Sequence, residues 1–145
     1  MCRRSHLLVG VAVFLGACSV SSDRVATVKS PSGHLQAVLD ETNGGATTDF
    51  GYIVSVAPTK QPDDAMQVAN LYGAFRNENA YGVNLVWAGD HTLEIQFLGA
   101  KHTGLEQPSP VSVGGVLVKV HLRSGVRDNK ARAGGMAYNL EHHRR

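Results

Sequence analysis

Residues 81–98 read YGVNLVWAGDHTLEIQFL and contain the clearest strand pattern of the chain. Apolar residues occupy alternate positions on both sides of a short turn at residues 88–91. These positions are Val83, Leu85 and Trp87 before the turn and Leu93, Ile95 and Phe97 after it. Alternation places every second side chain on one face of a strand, and a four-residue connection that contains glycine suits an antiparallel pair. The segment therefore predicts a β-hairpin with one buried face, in which Trp87 belongs to the core.

The same alternation recurs elsewhere along the chain. Residues 115–122 read GVLVKVHL, which predicts a strand with its valines inward and with Lys119 and His121 outward. Further strands are predicted at residues 25–29, 34–40 and 52–57. Residues 65–75 fit either a short helix capped by Asp63 or Asp64 or a strand at 67–72, and the strand is the favoured interpretation.

Turn residues separate these segments. Pro31-Ser32-Gly33 and Asn43-Gly44-Gly45 are strong turn sequences, since proline presets φ and glycine accepts a positive φ. Residues 99–113, which include Pro108 and Pro110, are expected to form a long loop. Five to seven short strands without a strong helical period predict a mainly β domain, with a single antiparallel sheet rolled or packed as a small sandwich.

The N-terminus has the organisation of a secretory signal. Arg3 and Arg4 precede residues 7–17, LLVGVAVFLGA, which carry no charge. This apolar stretch is shorter than the roughly 20 residues that span a bilayer. We therefore expect four parts, which are a signal peptide at 1–17, a polar tether at 18–24, a β domain at 25–122 and a basic, flexible tail at 123–145.

Leu15-Gly16-Ala17-Cys18 resembles the lipobox of bacterial lipoproteins. The resemblance implies cleavage between Ala17 and Cys18, a diacylglyceryl thioether on the Cys18 sulfur and acylation of its new amino group. The alternative is an ordinary signal cut after Ala17, but that enzyme prefers a small residue where Leu15 stands. Two or more acyl chains anchor a protein stably, at about 0.8 kcal/mol per buried CH₂. Since Ser19 rather than aspartate follows the cysteine, the resemblance implies, for a Gram-negative source, the periplasmic face of the outer membrane.

The charge balance gives no support for a nucleic-acid partner. The chain has 145 residues, 14 Lys and Arg and 12 Asp and Glu. Removal of the signal would remove Arg3 and Arg4 and leave a neutral protein. Basic residues are concentrated near the C-terminus, where a solvated tail is favoured over contact with anionic lipid headgroups. They are Arg123, Arg127, Lys130, Arg132, Arg144 and Arg145.

A set of short motifs resembles a family of small, uncharacterised bacterial secreted or lipid-anchored proteins. The motifs are Ser30-Pro31-Ser32-Gly33, Gly45-Ala46-Thr47-Thr48, Val54-Ser55-Val56, and Trp87 followed by Leu93-Glu94-Ile95. The similarity extends over residues 28–122, and it departs from the family pattern at Ser32 and His34. It implies a β domain in the cell envelope and carries over no catalytic residue.

Candidate chemical groups are scattered. Residues 44–48, GGATT, suit either a backbone nest for an anion or, as we favour, a plain turn. Four carboxylates could pair across strands for general acid–base catalysis, namely Asp40, Glu41, Asp90 and Glu94. The chain lacks the Gly-x-Ser-x-Gly sequence of a nucleophile elbow. The histidines His34, His91, His102 and His121 lack metal-ligand spacing. We therefore expect no catalytic residue, no metal and no cofactor.

Together these features predict a non-catalytic, lipid-anchored envelope protein. Its partners would be the membrane, through the anchor at Cys18, and an envelope protein or other envelope component. The alternative is an inhibitor or immunity-type lipoprotein that protects the envelope against a lytic enzyme. Loop 43–51 or loop 99–113 would then carry the inhibitory contact.

Overall fold

A computed structural model describes residues 20–143, which form eleven strands, one 3-10 helix and one α-helix. The elements in chain order are β1 (Ser21–Lys29), β2 (Leu35–Asn43), β3 (Phe50–Pro58), the 3-10 helix (Pro62–Asp64), β4 (Met66–Tyr72), β5 (Phe75–Asn77), β6 (Ala80–Tyr81), β7 (Asn84–Trp87), β8 (Thr92–Gln96), β9 (His102–Leu105), β10 (Val111–Val113), β11 (Val116–Arg123) and α1 (Met136–His143). The expected signal peptide, including Ala17, and the expected lipidation site Cys18 lie outside the described residues.

The larger sheet has five strands in the order β1-β2-β3-β4-β9. Each strand is antiparallel to its neighbour. Alternate side chains of the central strands form one apolar face, on which Leu39, Val54 and Leu71 are buried. The strand interpretation of residues 67–72 is confirmed by β4, and a short 3-10 helix precedes it.

The second sheet has four strands in the order β10-β11-β8-β7. The predicted hairpin is confirmed, because β7 and β8 are antiparallel with Leu85 opposite Ile95 and Trp87 opposite Leu93. The strand predicted at 115–122 forms β11, which lies parallel to β8. A third, two-stranded sheet joins β5 and β6.

The two larger sheets pack around one apolar core, as a small sandwich. Leu39 and Val54 of the first sheet and Ile95 and Val118 of the second belong to the same buried cluster. The indole N–H of Trp87 donates a 3.0 Å hydrogen bond to the carbonyl of Val28 and thereby joins the sheets. The mainly β architecture is as expected, with more strands than the expected five to seven and with one parallel pair.

Two expected irregular segments contain strands. The tether expected at 18–24 overlaps β1, because the backbone from Ser21 to Arg24 pairs with β2. The loop expected at 99–113 contains β9, which pairs with the edge of β4, and β10, which pairs with β11. Most of β9 is exposed, so the segment needs no alternating apolar pattern to form a strand.

The tail expected to be flexible from residue 123 is packed on the domain as far as Asn139. The side chain of Met136 is only 3% exposed. The Asn139 amide accepts a 2.5 Å hydrogen bond from the backbone N–H of Arg132 and donates one of 2.7 Å to the carbonyl of the same residue. Burial of Met136 attaches the C-terminal segment to the domain, and the double hydrogen bond holds Asn139 to Arg132. Among residues 20–143, no helix is both long and apolar enough to cross a bilayer.

Candidate functional surfaces at the two ends of the β domain

The strands of the larger sheet run between two opposite ends of the domain. At the first, which we call the N-terminal end, β1 begins and Ser21 lies opposite Asn43. The opposite end, which we call the far end, contains the turns that follow β1 and β3. Because β2 has nine residues, the two ends are about 30 Å apart.

The two loops expected to take part in recognition meet at the N-terminal end. The ammonium group of Lys101 forms an ion pair with the carboxylate of Asp49. The hydrogen bond to Asp49 and the charge of that carboxylate raise the pKa of Lys101. The backbone N–H of Asp49 donates a 3.0 Å hydrogen bond to the hydroxyl of Tyr72. The ring of Tyr72 stacks on His102, with ring centroids 6.3 Å apart. Loop 43–51 is thus joined to the beginning of β9 through Tyr72.

A second aromatic pair lies at the same end. The rings of Phe50 and Tyr81 have centroids 5.5 Å apart and are tilted by 59°. Tyr81 is 43% exposed. It lines an open cleft of about 550 Å³ together with Phe75 and residues 77–80. We call a set of five exposed or half-buried residues of this end the aromatic rim. Its members are Phe50, Tyr72, Tyr81, Lys101 and His102.

A buried polar cluster lies near the rim, on the inner side of the sheet. Glu41, only 8% exposed, accepts a 3.0 Å hydrogen bond from the hydroxyl of Tyr52, which lies directly opposite it on β3. The same carboxylate oxygen accepts a 3.0 Å hydrogen bond from the backbone N–H of Met136. Burial, and then the negative charge of Glu41, raise the pKa of Tyr52 well above its usual range.

Arg76 connects this cluster to the C-terminal segment. Its side chain is buried, and burial lowers the pKa of its guanidinium. Its Nε donates a 3.3 Å hydrogen bond to the carbonyl of Tyr81, and its Nη1 lies 3.9 Å from a carboxylate oxygen of Asp128. Its Nη2 is buried without a hydrogen-bond partner among the described residues. Burial alone raises the pKa of Asp128, but hydrogen bonds from Asn84 and from the backbone N–H of Lys130 outweigh it and lower that pKa.

The turns of the far end are tied to one another. The backbone N–H of Ser32 donates a 2.6 Å hydrogen bond to the carboxylate of Asp90, and this bond lowers the pKa of Asp90. The backbone N–H of Thr59 donates to the carbonyl of His34 at 2.8 Å, and that of Lys119 donates to the carbonyl of His91 at 2.8 Å. These bonds fix the relative positions of turns that are distant in the sequence.

Two open clefts lie between these turns. The first, of about 380 Å³, is lined by Gly33, His34, Pro58, Thr59, Lys60 and Gln61. The second, of about 320 Å³, is lined by His91, Thr92, Pro110, Leu117 and Lys119. Leu117 is 61% exposed and shares the exposed face of β11 with Lys119. The far end therefore combines fixed turns, basic and imidazole groups and one prominent apolar side chain.

The glycine-rich turn predicted as a plain turn or an anion nest uses two of its N–H groups internally. The N–H of Gly45 donates to the side chain of Asn43 at 2.9 Å, and that of Thr48 donates to the carbonyl of Gly45 at 3.1 Å. An anion nest needs such groups directed at the ligand. This hydrogen bonding fits the plain turn.

The other candidate residues are dispersed, and each carboxylate has a different partner. Asp40 pairs with Arg24, and Glu94 accepts a hydrogen bond from Gln96. His34 and His91 lie at the far end, whereas His102 belongs to the aromatic rim. Within residues 20–143 no group of three His, Cys, Asp or Glu side chains is arranged to hold a metal ion.

Sequence reasoning did not identify the partnership of Glu41 with Tyr52 or the burial of Arg76. The first could have been found by registering the strands on either side of the 43–51 turn, since the two residues are direct cross-strand neighbours. Nothing in the three-residue strand that carries Arg76 indicates its burial. Comparison of the chain with known protein families, with curated proteins and with solved structures finds no match.

Proposed function

We propose that this chain is a lipid-anchored protein of the bacterial cell envelope, held by acyl chains on Cys18 at the periplasmic face of the outer membrane. Its β domain acts by binding a partner rather than by catalysis. The observation that carries the proposal is the sequence Leu15-Gly16-Ala17-Cys18, directly after an uncharged segment at 7–17. In support, β1 begins at Ser21, so that a lipid on Cys18 would hold the folded domain close to the membrane.

We assign partner binding to the far end. This end lies about 30 Å along the strands from the end of the domain that begins next to Cys18, so the anchor leaves it accessible. Hydrogen bonds such as that from Ser32 to Asp90 fix its turns before a partner arrives, which reduces the entropy lost on binding. Exposed Leu117 shares its cleft with Pro110 and is bordered by His91 and Lys119, so that an apolar centre has polar neighbours, as in a small interface. The expected partner is an envelope protein.

Metabolic labelling with radioactive palmitate tests the anchor. The wild-type protein is expected to take up label, and Cys18→Ala is expected to take up none. Cys2→Ala is the matched control and is expected to keep the label, because Cys2 would leave with the signal peptide. Label retained by Cys18→Ala, or absent from the wild type, would contradict the proposal.

Binding at the far end is tested with purified components. A partner captured from detergent-solubilised envelope is identified, purified and titrated with the β domain. Leu117→Asp is expected to weaken this binding at least about tenfold, since it places a charge at the centre of the interface. Val86→Asp, at another exposed strand position, is the control and is expected to bind as the wild type does.

The inhibitor or immunity-type function is the second candidate, and one feature of loop 43–51 favours it. Residues 43–48 are all exposed, whereas Glu41 and Tyr52 on either side are buried. A protruding segment with a fixed base is the form in which inhibitors present a contact loop. A 1:1 complex with a lytic envelope enzyme that is lost in Ala46→Arg but kept in Leu117→Asp would favour this function over binding at the far end.

A further inference from the structure

We infer that the N-terminal end of the β domain rests on the lipid bilayer, with the aromatic rim at the level of the headgroups. This inference rests on the proposed anchor at Cys18. It adds an orientation, in which one end of the sandwich is a membrane-contacting surface and the opposite end is directed away from the lipid.

The length of chain between the anchor and the fold carries the argument. Ser21, the first residue of β1, is three residues after Cys18, so the two are at most about 11 Å apart. Neighbouring strands are about 4.8 Å apart, and four such spacings separate β9 from β1. His102, at the beginning of β9, therefore lies about 20 Å to the side of Ser21 and at the same end of the sheet.

The residues of this end have the chemistry that a membrane interface favours. Tyr72 and Tyr81 each combine an apolar ring with a polar hydroxyl, and tyrosine is enriched where lipid meets water. Tyr81 is 43% exposed, and Val20, next to the anchor, is 64% exposed. The tyrosine rings and the Val20 side chain can bury apolar surface among headgroups while the tyrosine hydroxyls stay hydrated.

The charges of the rim indicate what kind of lipid contact to expect. The only lysine of the rim, Lys101, is paired with Asp49, so that the pair carries no net charge. The contact is therefore aromatic and apolar rather than electrostatic. It should not depend on the content of anionic lipid in the membrane, in contrast to binding by a basic patch.

Depth-dependent fluorescence quenching tests the orientation in the lipidated mature protein. Its Cys18 sulfur would be blocked by the thioether, so an introduced cysteine is the single free thiol. His102→Cys in the rim and Lys60→Cys at the far end are each labelled with a nitrobenzoxadiazole dye. Each protein is reconstituted into vesicles of phosphatidylethanolamine and phosphatidylglycerol that contain lipid brominated close to the headgroup. Emission of Trp87 checks that both variants are folded.

The label at position 102 is expected to be quenched at least about twofold more than the label at position 60, because position 60 lies at the far end, about 30 Å along the strands from the end that carries position 102. The ratio is expected to stay the same when the phosphatidylglycerol content is varied. Equal quenching at both positions, or stronger quenching at position 60, would overturn the inference. A label at position 102 that is shielded from water but not quenched would indicate that protein covers it, for example a second copy of this chain, and would also overturn the inference.

Flotation with the vesicles is scored separately, since a failure to float refutes the anchor itself and the orientation with it.

Discussion

The carboxylate of Glu41 accepts a 3.0 Å hydrogen bond from the backbone N–H of Met136, 95 residues later in the chain. A negative side chain near the N-terminus of a helix is favourable, because the first N–H groups there have no partner within the helix. The same oxygen accepts a 3.0 Å hydrogen bond from the hydroxyl of Tyr52. One buried side chain on β2 thus holds β3 and the beginning of α1 together.

Replacement of Glu41 is expected to destabilise the domain strongly. Glu41→Ala leaves the hydroxyl of Tyr52 and the N–H of Met136 buried and unpaired, each at a cost of about 1–3 kcal/mol. Urea denaturation should report a loss of about 2–6 kcal/mol in the free energy of unfolding.

The control is the same substitution at an exposed glutamate. Glu78 forms a surface ion pair with Arg127, and such exposed pairs contribute little to stability. Equal losses of stability in Glu41→Ala and Glu78→Ala would contradict the role assigned to Glu41.

Two glycines with similar backbone angles test the packing of the C-terminal segment. Gly82 has φ +119° and Gly89 has φ +132°, so alanine strains the backbone at both positions. A Cβ at position 82 would lie 2.9 Å from the movable terminal methyl of Met136, but also 3.2 Å from the Cβ of Met136 and 3.3 Å from the Nε of buried Arg76. One at position 89 would meet no atom within 4 Å. Gly82→Ala is therefore expected to cost about 1–3 kcal/mol more than Gly89→Ala in the same denaturation measurement. Equal costs would show that Met136 does not pack on Gly82.

Tyr52 should make the domain sensitive to alkali. Its pKa is raised in the folded state, so its contribution to stability is complete below the unfolded pKa of about 10 and is lost as the pH rises further. Urea denaturation between pH 7 and 11 should show a fall above about pH 10 that is smaller in Tyr52→Phe. A Tyr52→Phe curve parallel to the wild type throughout would contradict this account.

Asp128 should make the domain sensitive to acid. Its pKa is lowered in the folded state, so its contribution is present above the unfolded pKa of about 4 and is lost as the pH falls through the folded value. Asp128→Asn is therefore expected to be less stable than the wild type at pH 7 and to lose less stability than the wild type on acidification below about pH 4. Asp63→Asn, at an exposed aspartate, is the control. Identical acid profiles for the wild type and Asp128→Asn would exclude the proposed linkage.

Local pattern was sufficient for the regular parts of the fold. The alternation of Leu93, Ile95 and Phe97 predicted the buried face of β8, and a short glycine-containing turn predicted its pairing with β7. Such signals lie within one or two strands, where sequence neighbours are also neighbours in space. The parallel pairing of β8 with β11 joins segments more than twenty residues apart and has no local signal.

The edges and the C-terminal segment depend on tertiary contacts. Ser21 and His102 lie in exposed strands that form because a neighbouring strand offers free backbone groups. Asn139 is polar, and its burial follows from its hydrogen bonds with Arg132 rather than from any apolar period. The meeting of Asp49 with Lys101 likewise follows from the order of strands in the sheet.

The intact mass of the mature protein, extracted with detergent from the native envelope, tests the central claim most directly. We expect a polypeptide that begins at Cys18, lacks residues 1–17 and carries the added mass of a diacylglyceryl group and an amide-linked acyl chain. A chain that retains residues 1–17, or one that begins at Cys18 with an unmodified thiol, would contradict the lipid anchor.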